Sequence, residues 1–275
     1  MGIAINGGRP YNAQSLDRGL LALALLRDSP QGELGLTELA LGVGVHKSTL
    51  HRLLTTLMRH GYIAQDPTTK RYRLGLAFLE FAHHAVERLD VRRQALRVMH
   101  QLAAQSGESV YLNVRSGARV LSVDEVVGPT GVTLGSNVGV ALPLHATAAG
   151  KCFLAWMPET ERAALLGAGR LQRVTERTIT SPDRLLAELE RVRRRGFATN
   201  EEETEPGVRY AAAPVFGLDG AIVAALVLGA PILRVSAADF ARLGPAVGTA
   251  AARVSAALGF RESLPAPAQV PVTGS

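Results

Sequence analysis

Residues 36–75 read LTELALGVGVHKSTLHRLLTTLMRHGYIAQDPTTKRYRLG, and this stretch decides the fold of the N-terminal part of the chain. A short helical pattern carried by Leu36, Leu39 and Ala40 breaks at Gly42-Val43-Gly44, and a longer one follows at once. At about 100° per residue, Leu50, Leu53, Leu54, Leu57 and Met58 lie in an arc between about 140° and 280° from Ser48. Ser48, His51, Arg52, Thr55 and Arg59 lie opposite. Amphipathicity alone would fit any surface helix, so the content of the polar side matters more. No Asp or Glu occurs between His46 and Gly61. Lys, Arg, Ser, Thr and His can bond phosphates or base edges, whereas a carboxylate would be repelled by them. Two helices joined by a tight Gly-containing turn, the second with such a face, form a helix-turn-helix suited to the major groove.

The same stretch ends in a hairpin. Residues 62–64 and 71–74 flank Asp66-Pro67-Thr68-Thr69, which is turn chemistry, and Lys70, Arg71 and Arg73 follow it. A basic tip beside a recognition helix can reach the backbone or the minor groove, so the hairpin reads as a wing. The expected DNA contacts are Lys47, Ser48, Thr49, His51, Arg52, Thr55, Arg59, Lys70 and Arg71. Upstream, Ser15 reads as the N-cap of a scaffold helix that turns Leu16, Leu20, Leu23 and Leu26 or Ala24 inward.

Charge follows the same division. Residues 1–75 hold nine Lys and Arg against five Asp and Glu, a balance of +4, and the remaining residues hold 21 against 19. An excess this modest suits a domain that binds DNA usefully as a dimer, because salt weakens each phosphate contact.

At 275 residues the chain suits two domains. One cysteine excludes an internal disulfide and fits a reducing compartment. The N-terminal residues lack a secretory signal pattern, and the apolar run at 221–230 is too short to span a bilayer. The expectation is a cytoplasmic protein with no membrane partner. The expected organisation is a flexible N-terminus at 1–13, a winged helix-turn-helix at 14–75, a linker helix at 76–89, an effector domain at 90–260 and a disordered Pro-rich tail at 261–275.

In the second domain, residues 90–106 predict a helix with Val91, Ala95, Val98 and Leu102 inward. Residues 108–114 and 119–126 alternate around Ser116-Gly117, and 208–216 and 221–228 flank Gly217-Leu218-Asp219-Gly220, giving two hairpins. Helices are expected from residue 144 or 145 to 156, over 181–195 and over 236–258, the last with Pro245 as a bend. Hairpins with interspersed helices make an antiparallel α+β domain.

Catalytic and metal readings fail on spacing. Ala149-Gly150-Lys151 has His145 and Cys152 where a phosphate loop needs Gly and Ser or Thr. His145 and Cys152, if on one helix, stand two turns or about 10 Å apart, too far for a nucleophile and its base, so Cys152 reads as a structural thiol. Glu201, Glu202, Glu203 and Glu205 lack positioned partners and read as a solvated or pocket-edge loop. His83 and His84 are adjacent rather than four apart, so they do not share a helix face for a metal. No catalytic residue, metal or cofactor is expected.

Several motifs in order carry a family resemblance: SLDRGL (15–20), HKSTLHRLLTTLMRHGY (46–62), RYRLG (71–75), LPLHATAAGKCFLA (142–155) and EEETEPGVRYAAAPVF (201–216). Over residues 14–260 the chain resembles the IclR-type transcriptional regulators. The resemblance implies a winged helix-turn-helix joined to a GAF-like effector domain, with dimers or tetramers on pseudo-palindromic operators. It also implies control, as a repressor, of a metabolic operon through a small organic acid. It places the effector site at Leu142, Ala148, Ala149, Asn200, Val208, Tyr210, Val227 and Gly229. Glyoxylate-sensing members have a carboxylate, a thiol and two hydroxyls where this chain has Asn200, Tyr210, Val227 and Gly229. The less polar set, with backbone N–H groups near residues 145–149, points to an aromatic or medium-sized acid.

Overall fold

The computed structural model describes residues 13–87, 90–129, 138–167 and 171–261. The expected flexible N-terminus and disordered tail therefore lie outside the described residues, apart from Ala13 and Arg261. The chain divides into two compact units, residues 1–88 and 89–275.

The first unit is a winged helix-turn-helix. Helices α1 (Gln14–Asp28), α2 (Leu36–Val43) and α3 (Lys47–Arg59) pack around Ala22, Leu26, Leu39, Leu50 and Leu54, all buried. Helix α2 runs one residue past Gly42 and stops at Gly44, whose φ of 70° is left-handed and open to glycine without steric cost. His46 caps α3, its ring nitrogen accepting from the N–H of Ser48. Strands β1 (Glu33–Leu34), β2 (Ile63–Gln65) and β3 (Tyr72–Leu74) form a small antiparallel sheet in the order β1-β3-β2. The β2–β3 turn is an Asx turn: Asp66 Oδ1 accepts the N–H groups of Thr68 and Thr69 at 2.8 and 2.7 Å. These bonds hold the Asp66 carboxyl below its usual pKa.

Two expectations for α1 are corrected. The helix starts at Gln14 with Ala13 as its uncapped N-cap, so Ser15 sits inside the first turn. Leu16 and Leu20 are exposed, because α1 turns Gly19, Ala22 and Leu26 inward instead. Helix α4 (Ala77–Glu87) follows the wing, and Phe78, edge-on, and Phe81, tilted, pack against Tyr62 with ring centroids 5.4 and 5.6 Å away.

The second unit is built on a six-stranded antiparallel sheet in the order β6-β5-β4-β9-β8-β7. The strands are β4 (Ser109–Ser116), β5 (Arg119–Val126), β6 (Ala141–Pro143), β7 (Ala198–Glu201), β8 (Val208–Phe216) and β9 (Ile222–Pro231). One face packs on α5 (Asp90–Ser106) and α9 (Ala237–Ala257) through Val98, Met99, Leu112, Leu226, Val247 and Val254. The other face packs on α6 (Ala148–Trp156) and α8 (Pro182–Arg195) through Phe153, Leu154, Leu185 and Leu189. Helix α7 (Glu159–Leu166) and strands β1, β6 and β7 are elements that the sequence pattern did not predict. The strands are too short, or too mixed in character, to stand out.

The helix expected to run from residue 144 or 145 to 156 is broken. A 3-10 turn at Leu144–Ala146 is followed by Thr147 in extended conformation (φ −106°, ψ 148°), and α6 starts afresh at Ala148. The Thr147 hydroxyl accepts the Gly150 N–H at 2.9 Å. Gly150 has no room for a side chain: a Cβ there would lie 1.9 Å from the Leu144 carbonyl oxygen. Replacing it with Val should cost at least the ~1–3 kcal/mol typical of overpacking. Thermal denaturation of Gly150→Val should show a lower Tm than wild type, whereas Gly248→Ala, half-buried but with open space beside its Cα, should not.

Candidate DNA-reading face and effector cavity

Because α3 buries Leu50 and Leu54, its other side is forced outward. Lys47, Ser48, Thr49, His51, Arg52, Thr55 and Arg59 are all exposed, as are Thr56 and His60. The hydroxyls of Thr55 and Thr56 bond back to the carbonyls of His51 and Arg52, at 2.8 and 3.1 Å. At the wing, Lys70 is exposed in left-handed conformation with φ 59°. Arg71 is already engaged within the domain. Its guanidinium meets Glu33 at 3.0 Å and Glu38 at 3.0 Å, so its charge is matched inside the domain and ties the wing to β1 and α2. Arg73, next along β3, is exposed.

The second unit holds a cavity of about 220 Å³ on the α6 side of the sheet. Its floor is Tyr111 and Asn113 of β4, Val120 and Ser122 of β5, Tyr210 of β8 and Val227 of β9, with Val140 and Leu142 at one side. Thr147, Ala148 and Ala149 bring the N-terminus of α6 into the wall, and Thr204 and Glu205 of the β7–β8 loop complete it with Asn200. The N–H groups of Ala148 and Ala149 precede the first intrahelical bond, so they belong to the set that every helix start leaves to outside acceptors.

Six of the expected effector residues therefore meet at one cavity: Leu142, Ala148, Ala149, Asn200, Tyr210 and Val227. Val208 and Gly229 do not line it. Val208 is buried at the start of β8 opposite Pro231, and Gly229, opposite Ser109 and Tyr210, has no side chain to reach with. Asn200 lines the wall but spends its amide within the domain, donating to the Ala146 carbonyl (2.7 Å) and Thr204 (3.2 Å) and accepting from the Glu203 N–H (2.8 Å). Tyr210 donates its hydroxyl to Glu205 at 2.9 Å.

The polar floor residues Tyr111, Asn113 and Ser122 escaped the sequence reading. A β-bulge explains their grouping. Leu112 pairs with Asp124 but Asn113 pairs with Ser122, so Val123 is an extra residue that resets the alternation of β5. Ser122 opposite Asn113 and Glu125 opposite Tyr111 consequently share the cavity face. Burial, and then the neighbouring Glu125 carboxylate, push the Tyr111 phenol well above its ordinary pKa. Ser122 Oγ and Asn113 Oδ1 are buried without a hydrogen-bond partner among the described residues. Each such atom costs about 1–3 kcal/mol unless something satisfies it.

Both halves of the chain match family models: an IclR helix-turn-helix domain over residues 15–67, and a bacterial transcriptional regulator IclR C-terminal domain over residues 83–256. The chain belongs to the IclR family. It is 35% identical to the transcriptional regulator XynR of Escherichia coli, over 90% of this chain and 98% of that one. It is also 35% identical to the glycerol operon regulatory protein of Streptomyces griseus, over 90% of this chain and 97% of that one. An IclR transcriptional regulator from Alicyclobacillus acidocaldarius has the same fold, with a TM-score of 0.77 and 31% identity over 90% of this chain and all of that one. The protein is thus an IclR-family transcriptional regulator, a DNA-binding protein and not an enzyme.

Within this IclR effector domain the residues read as possible catalysts have structural work. Cys152 and His145 are on separate elements, not one helix as expected. The Cys152 thiol donates to the Ala212 carbonyl at 3.3 Å, and burial pushes its pKa up to about 12, far from a reactive thiolate. His145 Nε2 sits 2.8 Å from the Gln172 carbonyl oxygen. The acidic loop is not simply solvated: Glu203 is buried and paired with Lys151, which is itself buried and also donates to the Thr199 carbonyl at 3.0 Å. Burial pushes the Glu203 carboxyl up, and the Lys151 ammonium pulls it back. Among the described residues no group of three His, Cys, Asp or Glu could hold a metal.

The Lys151–Glu203 pair joins the two elements that roof the cavity, α6 and the β7–β8 loop. Lys151→Met should cost about 3–5 kcal/mol by stranding a buried carboxylate. Lys151→Met combined with Glu203→Leu should recover much of that loss. Denaturant unfolding of the two single variants and the double variant checks it, and additive losses would refute the coupling.

Proposed function

We propose that this protein is a ligand-responsive repressor of a metabolic operon, binding a pseudo-palindromic operator as a homodimer or a dimer of dimers. The observation that carries the reading is the pairing of a carboxylate-free, exposed recognition-helix face in one unit with a walled polar cavity in the other. Lys47, Ser48, Thr49, His51, Arg52, Thr55 and Arg59 read or grip the major groove, and Lys70 reaches the flanking backbone. To Arg71 we assign the placing of the wing, since its charge is already matched. The exposed apolar side chains Leu16 and Leu20 of α1 and Leu79 and Phe81 of α4 support self-association, because a lone domain gains nothing by leaving them in water.

The effector we propose is a small organic acid, its carboxylate met by the N–H groups at the start of α6. A cavity of about 220 Å³ lies below the ~300–1,000 Å³ of sites for drug-sized ligands, which supports a small molecule. The expected aromatic character finds less support. Eight of the lining residues are polar (Tyr111, Asn113, Ser122, Thr147, Asn200, Thr204, Glu205 and Tyr210), and six are apolar. Ligand binding shifts the population between arrangements in which paired recognition helices do or do not fit their half-sites. No described helix is long and apolar enough to cross a membrane. A DNA partner supports a cytoplasmic location.

Arg52→Ala should weaken binding to the promoter DNA beside the protein's own gene by about 1–3 kcal/mol, roughly five- to 150-fold, in fluorescence anisotropy. Its melting temperature and effector response should stay those of wild type. An unchanged DNA affinity would refute the assignment of the α3 face.

A further inference from the structure

The cavity holds polar groups that no other described residue satisfies. Ser122, only 6% exposed, and Asn113 are cross-strand neighbours on the floor, and Ser122 Oγ and Asn113 Oδ1 lack partners among the described residues. At the β8 side, Glu205 is held by the Tyr210 hydroxyl. None of the described lining residues is Lys, Arg or His, so one carboxylate can be met by the α6 N-terminus and a second would go uncompensated. A flat aromatic ring over this floor would leave Ser122 and Asn113 dry and unpaired. A chain of hydroxyl groups would not, because a hydroxyl both donates and accepts: it can donate to Asn113 Oδ1 and Glu205 and accept from Ser122.

We infer that the effector is a polyhydroxylated monocarboxylic acid, its carboxylate at the α6 N-terminus and its hydroxyls satisfying Ser122, Asn113 and Glu205. This rests on the reading of the cavity as the effector site. The pocket discriminates by its floor. An acid without hydroxyls forfeits the floor bonds, a neutral polyol forfeits the helix terminus, and a dicarboxylate brings a second charge towards Glu205. Specificity of this kind is strong, because a site built to bond hydroxyls leaves its own buried groups unpaired when they are missing.

Thermal shift and calorimetry on the full chain test it with four- to six-carbon aldonates such as gluconate, the neutral polyol glucitol, hexanoate, benzoate and the dicarboxylate glucarate. An aldonate should raise the melting temperature by several degrees, and the other compounds should not. Ser122→Ala should weaken aldonate binding about tenfold. It should leave the melting temperature of the ligand-free protein unlowered, since the lost hydroxyl has no hydrogen-bond partner among the described residues. Failure of all the aldonates, or equal binding of hexanoate or benzoate, overturns the hydroxy-acid inference, as does undiminished aldonate binding by Ser122→Ala. Val227→Phe, which fills the cavity, separates this from the underlying reading. If an acid binds wild type and is lost in Val227→Phe, the cavity is the effector site whatever the acid is. If binding survives that filling, the cavity reading and the inference both fall.

Discussion

A lysine ammonium with almost no solvent exposure is tolerable only where a carboxylate and a carbonyl meet it, and Lys151 has both in Glu203 and Thr199. The shape of the cavity depends on this requirement. Lys151 stands on α6 and Glu203 in the loop between β7 and β8, so pairing the charges brings together two elements that are far apart in sequence. The start of α6 is thereby set over the sheet, with Thr204 and Glu205 held beside it. Asn200 extends the same lattice by bonding Ala146, Thr204 and Glu203 together. Thr175 and Thr178 bind the loop from the other side through the carbonyls of Glu202 and Glu203. Glu202 is itself in left-handed conformation, φ 60°, a strained state for a non-glycine residue that persists only where its surroundings impose it.

Such a lattice suits a sensor. A cavity lined by a helix terminus and a bolted loop presents a formed site, so little binding energy is spent on ordering the walls. A ligand that bonds the floor and the roof together then favours one packing of these elements over another.

The division between legible and illegible residues follows from periodicity. The recognition helix was legible because its apolar stripe at Leu50 and Leu54 repeats at helical spacing, and burying that stripe forces the other side out. The hairpins β4–β5 and β8–β9 were legible because strand alternation and turn residues are local signals. The inward face of α1 was misread. Leu16 and Leu20 have helical spacing as well, but the face that packs inward is the one carrying Gly19, Ala22 and Leu26. The break at Thr147 was equally hidden, since no Gly or Pro lies between Leu144 and Ala149, and it brings Gly150 against the Leu144 carbonyl.

The sequence by itself determined the winged helix-turn-helix, the carboxylate-free α3 face, the antiparallel α+β effector domain and, through its motifs, the family. These rest on interactions within a few residues, which spacing and residue type are enough to specify. The tertiary structure alone decided which polar groups share the cavity. The bulge at Val123 turns Ser122 and Glu125 to the same face, Glu203 leaves the acidic run to meet Lys151, and Arg71 is taken up by Glu33 and Glu38. Each of these joins residues from separate elements. Their meeting is set by strand register and by the pairing of charges, neither of which leaves a periodic trace in the chain.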